Sequence, residues 1–334
     1  PDTADLRKEV EYLLQNKRSF NLYVIHGGTN FGFTAGANAF SNTQYQPDIT
    51  SYDYDSPIDE QGRPTPKYFM LRDLITKYTG KQPIAIPAPV PVMEVSAIEM
   101  KLNNSIWNNL PAPVVSAQPL TMEALDQNQG LMLYRTRLIG HKSGKLTIRE
   151  PHDYALVFLN HKFIDTVYRD KGNWTVDLPA DPSVKDPVLE ILVEGMGHIN
   201  FAQFMYDRKG ITERVTLNGM TLMNWENYSL PMDGKWVQQH SGPMRSLVQR
   251  VPGGYIFKGA FSLDKIADTY FDLSGYVKGM VYVNGHNLGR YWQVGPQQHL
   301  YCPAGWLNKG NNEIIIVDLL QADAAPVKGV TTLE

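Results

Sequence analysis

The sequence predicts a multidomain protein in which a short alternating α/β segment is followed by two β-sandwiches. Three observations carry this. Residues 1–80 read helix, strand, long loop, helix; residues 81–92 are proline-rich; and the remainder is a string of short β-branched segments that repeats itself. At 334 residues the chain exceeds what one compact core usually needs, so roughly two or three domains are expected.

In residues 2–17, Leu6, Val10, Leu13 and Leu14 recur on one face, with Asp2 or Thr3 available as the cap, which predicts a helix. The apolar run NLYVI at 21–25 predicts a buried strand. Residues 27–63 are rich in Gly, Asn, Asp, Ser and Pro and form a loop whose length suggests function. A second helix then starts at Thr65 as N-cap with Pro66 in its first position, carries Tyr68, Leu71, Ile75 and Tyr78 as its stripe, and stops at Gly80.

Pro83, Pro87, Pro89 and Pro91 favour an extended linker. Beyond it, KLTI, ALVFL, LEILV, GMVYV and NEIIIV read as strands. ALVFLN at 155–160 matches GMVYVN at 279–284 with an offset of 124, and the same offset pairs Pro179 with Pro303 and residues 191–194 with 315–318. Register kept without a gap predicts two copies of one sandwich plan. The expected division is 1–80 for the α/β segment, 81–125 for the linker leading into β structure, 126–225 for one sandwich and 226–334 for the other, with interleaving allowed.

A net charge of −3 and a pI near 6.3 supply no basic field, so no nucleic-acid partner is expected. No apolar run approaches the roughly 20 residues of a membrane helix. The single Cys302 rules out a disulfide within the chain. There is no phosphate loop, no G-x-S-x-G elbow and no H-E-x-x-H helix, and the 8 histidines show no metal-ligand spacing. Neither a metal nor a cofactor is expected. His26, beside the strand mouth, reads as structural hydrogen bonding before catalysis. In YDYD at 52–55, an extended backbone would place Asp53 and Asp55 side by side. A retaining glycosidase needs carboxyl groups facing each other about 5–5.5 Å apart, so the pair is better read as bracing the loop backbone.

NLYVIHGGTNFGFTAGAN at 21–38, followed by QPDITSYDYDSPIDEQGRPTPKYFMLRDLI at 46–75, closely resembles the last strand, loop and helix of the catalytic barrel in family 35 glycoside hydrolases, the β-galactosidases. WENYSLPMD and VYVNGHNLGRYWQVGPQQHLYCPAGWLNKGNNEIIIVD resemble that family's β domains, of the galactose-binding jelly-roll type. The resemblance implies a fold made of the C-terminal remnant of a (β/α)8 TIM barrel, which takes about 250 residues when complete, followed by two β-sandwiches. It implies a parent that hydrolyses terminal non-reducing β-D-galactose with retention through two glutamates. Neither glutamate motif is found here, and the opening PDTADLRKEV reads as entered partway, so both are expected upstream of Pro1 and this chain is expected to be inactive alone.

The resemblance also implies that Tyr23 and Tyr54 line the galactose pocket, that the partners are a β-galactoside oligosaccharide or glycoconjugate and the N-terminal remainder of the barrel, and that the setting is secreted, periplasmic or lysosomal. The alternative is a non-catalytic carbohydrate-binding or structural β-sandwich module. A binding module would expose aromatic clusters, whereas a structural one would bury Trp174, Trp225 and Trp292.

Overall fold

The computed structural model describes residues 3–41, 43–244 and 253–333. Helix α1 spans Thr3–Gln15 and helix α2 spans Pro66–Thr79. The proposed cap Asp2 lies outside the described residues. Gly80 closes α2 in the left-handed region at φ 68°, donating its N–H to the Thr76 carbonyl. Thr65 holds the N-cap position, but its hydroxyl turns away from the helix and donates to the carbonyls of Ser56 and Pro57. The buried face of α2 is Lys67, Leu71 and Leu74, with Tyr78 packed beside it, and not the expected stripe through Tyr68 and Ile75. The reason is the neighbour: α1 lays Leu6, Val10 and Leu14 against that side, and Ile75 is left exposed.

The strand expected at 21–25 does not form. A strand exists only where a neighbour takes up its ladder bonds, and among the described residues the nearest pairing is a single bridge from His26 to Ile58. Tyr23 and Ile25 are consequently exposed.

The β region is two sandwiches on one plan. In the first, a six-stranded antiparallel sheet runs in the order Lys162–Tyr168, Tyr154–Leu159, Val188–Gly195, Gly130–Arg137, Trp225–Leu230, Val114–Ser116. It faces a sheet of Thr175–Leu178, Gly144–Ile148, Val215–Leu217 and Met220–Thr221. In the second, His286–Trp292, Lys278–Val283, Gly310–Asp318, Tyr255–Leu263 and Lys101–Ser105 form the large sheet. His299–Cys302, Thr269–Asp272, Val327–Val330 and Val95–Ile98 form the small one. The second sandwich thus draws two strands from ahead of the first, within residues 81–125. The strands Tyr154–Leu159, Lys162–Tyr168 and Thr175–Leu178 correspond to Lys278–Val283, His286–Trp292 and His299–Cys302 at the offset of 124 seen in the sequence.

The runs ALVFL and GMVYV are apolar at successive positions because both faces of each large sheet are covered. Val157 and Ile191 point into the first sandwich, and Val281 and Ile316 into the second. Their neighbours Leu156, Phe158 and Leu192 pack with Met280, Tyr282 and Ile315 in a shared core between the two large sheets. The four sheets therefore form a stack whose central layer of contact is the sandwich-to-sandwich junction. Within it, Lys278 reaches Glu194 of the other sandwich at 2.5 Å, both fully enclosed.

The repeat extends to its turns. Asn160 and Asn284 both adopt left-handed backbone, at φ 52° and 49°. Each side-chain carbonyl accepts the N–H of the strand beyond, at Val188 and Glu313. Asn284 also donates to the Trp306 carbonyl and to Asn312 at 2.8 Å each. Asn284→Ala therefore loses three hydrogen bonds and strains the turn, and is expected to cost about 2 kcal/mol. Asn284→Gly, which tolerates this backbone, should recover about 1 kcal/mol of that. Urea midpoints of the two variants check the difference; equal losses would mean that the backbone conformation contributes nothing.

Candidate functional site

The loop at 27–63 is not a free segment but a strap across both sandwiches. Gly36–Ala39 pairs antiparallel with Tyr45–Pro47 and parallel with His198–Ile199 of the first sandwich. On the other side the Thr50 hydroxyl donates to the Arg290 carbonyl at 2.7 Å and accepts its N–H at 3.0 Å. Ser51 N–H donates to the Gln297 side chain at 2.7 Å, and Phe31 packs on Trp306 with ring centroids 4.4 Å apart. A loop this long stays ordered only where its backbone groups find partners, and here the sandwiches supply them.

Internal bracing fixes the turn that carries the candidate residues. Asp53 accepts the Ser56 hydroxyl at 2.9 Å and the Glu60 N–H at 2.8 Å, which is the bracing role expected of it. Gly27 approaches so closely that a Cβ there would lie 2.7 Å from the Asp53 Cα, so only glycine fits. Thr29 donates its hydroxyl to Glu60 at 2.5 Å. Burial raises the Glu60 carboxyl to about 7, partly offset by the hydroxyls of Thr29 and Ser51. Residues 54–55 form a bend and not a strand, so the expected alternation of YDYD stops at Tyr54. Asp55 turns to Lys67, which pairs with its carboxylate and donates to its carbonyl at 2.8 Å.

Tyr23 and Tyr54 line one cavity, shared with Leu6, Tyr52, Asp55 and Lys67. They are 96% and 81% exposed, which leaves both phenols open to a ligand. Tyr52 stands edge-on to Tyr54 with centroids 5.6 Å apart, and Tyr54 at its side pushes the Tyr52 hydroxyl above the usual tyrosine range. His26 is exposed with no side-chain hydrogen bond among the described residues, so the structure gives it neither the bracing role expected nor a catalytic one. Tyr52 and Lys67 were not singled out by sequence. A lysine in the first turn of a helix opposes the macrodipole, and that signal could have flagged Lys67 as paired.

The cavity offers hydroxyl donors and acceptors on aromatic walls, which suits a polyhydroxyl ligand. It does not offer a catalytic pair. Among the described residues Asp55 is the one carboxylate in its wall, and Lys67 holds it. Among the described residues no group of His, Cys, Asp and Glu could hold a metal ion, and no helix is long and apolar enough to cross a membrane.

Three family models match successive parts of the chain. The family model for glycosyl hydrolases family 35 matches residues 1–78. The models for the first all-beta domain and the galactose-binding domain of beta-galactosidase match residues 119–231 and 255–312. A beta-galactosidase of Xanthomonas manihotis is 36% identical over 90% of this chain and 50% of its own length. Beta-galactosidase 17 of Arabidopsis thaliana is 35% identical over 93% of this chain and 49% of its own. Beta-galactosidase-1-like protein 2 of Homo sapiens is 35% identical over 97% and 51%. The chain thus spans about half the length of these relatives. Among solved structures, a Pleurotus ostreatus lectin in complex with GalNAc aligns over 70% of this chain and 80% of that one, at 11% identity and a TM-score of 0.22, too low to carry an argument. The chain belongs to glycosyl hydrolase family 35.

Proposed function

We propose that this chain supplies one wall of the galactose site of a retaining β-galactosidase acting on terminal non-reducing β-D-galactose, and that α1, residues 21–25 and α2 are the end of that enzyme's (β/α)8 barrel. The observation that supports the reading is that Tyr23 and Tyr54 line one cavity with their phenols largely exposed, which a core role would not leave. The substrate is a β-galactoside oligosaccharide or glycoconjugate, and the other partner is the remainder of the barrel, which would cover this face. The catalytic glutamates belong to that remainder. Because the ion-paired Asp55 is the only carboxylate among the described residues of the cavity wall, the 334-residue chain alone should not turn over a nitrophenyl β-galactoside; measurable turnover would defeat the reading. The secreted, periplasmic or lysosomal setting follows from the same reading. The sandwiches serve as packing partners, since their large sheets cover one another and Trp225 is fully buried, although Trp174 and Trp292 are only partly buried.

In the complete enzyme, Tyr23→Phe and Tyr54→Phe should impair catalysis and leave folding intact, since each removes one hydroxyl and keeps the ring. A hydrogen bond to an uncharged hydroxyl contributes about 0.5–1.5 kcal/mol and one to a carboxylate about 1.5–3. Tyr23 adjoins the expected place of the nucleophile and should lose more, with kcat/KM falling roughly tenfold to a hundredfold. Wild-type kinetics in both variants, at unchanged Tm, would remove the two tyrosines from the site.

A further inference from the structure

A second cavity lies where the strap meets both sandwiches, and it shares no lining residue with the first. Its walls include Asp48 of the strap, Tyr168 of the first sandwich and Lys278, Arg290 and Trp292 of the second. Three polar groups in these walls have no partner among the described residues: the Asp48 carboxylate, the Tyr168 hydroxyl and the Trp292 indole N–H. Burial holds the Asp48 carboxyl above the ordinary range, so its hydration is already reduced.

The rings are fixed in place. Trp292 stands edge-on to Tyr168 at 5.4 Å between centroids, and the Lys278 ammonium lies 4.2 Å from its ring centre. The cations are neutralised within the protein: Lys278 and Arg290 both face Glu194, at 2.5 and 3.4 Å, and Arg290 donates to the Gly195 carbonyl at 2.7 Å. With Asp48 in the wall and Glu194 behind it, two positive and two negative charges meet at the cleft, which selects neither an anion nor a cation.

An acceptor, a donor and a group that is both, lining one cleft together with aromatic rings and balanced charge, match the hydroxyl edges and C–H faces of a sugar ring. We propose that this junction cavity binds one neutral saccharide unit, with Asp48 accepting from its hydroxyls, the Trp292 indole donating to one of them and Tyr168 bonding a third. The site goes beyond the galactose wall proposed above and does not depend on it. Because its walls come from the strap and both sandwiches, an occupant would also tie the three together.

The test is a titration of the 334-residue chain followed by its indole ¹H–¹⁵N resonances. The chain has 6 tryptophans, and Trp292→Phe identifies the resonance of interest. The probes are methyl β-D-galactopyranoside, methyl β-D-glucopyranoside and inorganic phosphate. At least one glycoside should move the Trp292 resonance, saturating in about the millimolar range, as expected of a single small ligand. Asp48→Asn should weaken binding by about tenfold or more and Tyr168→Phe by about threefold to tenfold, with the other five indole resonances unchanged as evidence that each variant folds. A Trp292 resonance unmoved by either glycoside up to about 0.1 M would overturn the proposal. So would movement by phosphate in place of the sugars, which would mark an anion site, or a sugar response that survives both substitutions. A sugar response confined to Tyr23 and Tyr54 would support the first site and overturn this one.

Discussion

Asp153→Ala is expected to lower stability by about 3–5 kcal/mol and the Tm by on the order of 10 °C. Asp153 is fully enclosed and accepts from Arg169 at 2.9 Å, Lys209 at 2.7 Å and the Met196 N–H at 2.8 Å. Asp207 closes the ring, accepting from Arg169 at 2.7 Å and Lys209 at 2.8 Å. Two cations and two carboxylates thus cancel inside the protein, and removing one carboxylate leaves a net positive charge with no water to screen it. The network also grips the strap: the Tyr45 hydroxyl donates to the Gly197 carbonyl at 2.5 Å, and Arg169 and Lys209 lie 4.6 and 5.0 Å from the centre of its ring.

Burial works to raise the Asp153 carboxyl, but Lys209 and Arg169 outweigh it and hold the group below its ordinary 3.8. A depressed carboxyl contributes stability that is present above its unfolded value and lost as pH falls through its folded one. The wild type should therefore weaken below about pH 4, and the alanine variant should lack that part of the acid response. Adding Lys209→Met restores charge balance, so the double variant should lose less than the sum of the single losses. A loss under about 1 kcal/mol for Asp153→Ala, measured by urea unfolding, would show the network to be dispensable.

Local signals in the sequence carried the parts of the fold that depend on neighbours in the chain. Pro66 and Gly80 bracket α2 as helix-end chemistry requires, with Thr65 at the N-cap position but not capping through its hydroxyl, and the offset of 124 pairs real strands because hairpin register is set residue by residue. The strand at 21–25 failed because its ladder partners are not local. The buried stripe of α2 was misplaced for the same reason, since α1 decides which side is covered. The unbroken apolar runs ALVFL and GMVYV were the available sign that the large sheets are covered on both faces.

At the candidate site, the sequence pointed to Tyr23, Tyr54 and the bracing by Asp53, all within one short region. It gave no sign of the Asp153, Arg169, Asp207 and Lys209 ring, whose members are far apart in the chain and meet only in the folded state. The junction cavity was invisible for the same reason. Asp48, Tyr168 and Trp292 come from three separate parts of the molecule.

Glu60→Gln is expected to make the protein more stable at alkaline pH and to flatten its pH dependence. Glu60 is 4% exposed, packed among Thr29, Ser51, Asp53 and Asp59 on the strap and close enough to Tyr270 and Tyr301 of the second sandwich to raise their hydroxyls. Its Oε1 takes the Thr29 hydroxyl, while Oε2 is buried with no partner among the described residues. Burial, and secondarily the nearby Asp53 and Asp59, raise the carboxyl from 4.5 to about 7. The folded state therefore holds this proton more tightly than the unfolded chain does, the reverse of Asp153. Stability is full below about pH 4.5 and declines as pH rises through 7, because ionisation is easier once the strap has come away. The shift corresponds to about 3 kcal/mol, lost progressively across that interval. Glutamine keeps the acceptor for Thr29 and cannot ionise. The variant should match the wild type near pH 4.5 and exceed it by about 2–3 kcal/mol at pH 8, read from urea midpoints across the range. Neighbouring groups titrate in both proteins and cancel in the difference, so two parallel stability curves would show that Glu60 is already ionised in the fold, with the strap seated over a charge that the second sandwich tolerates.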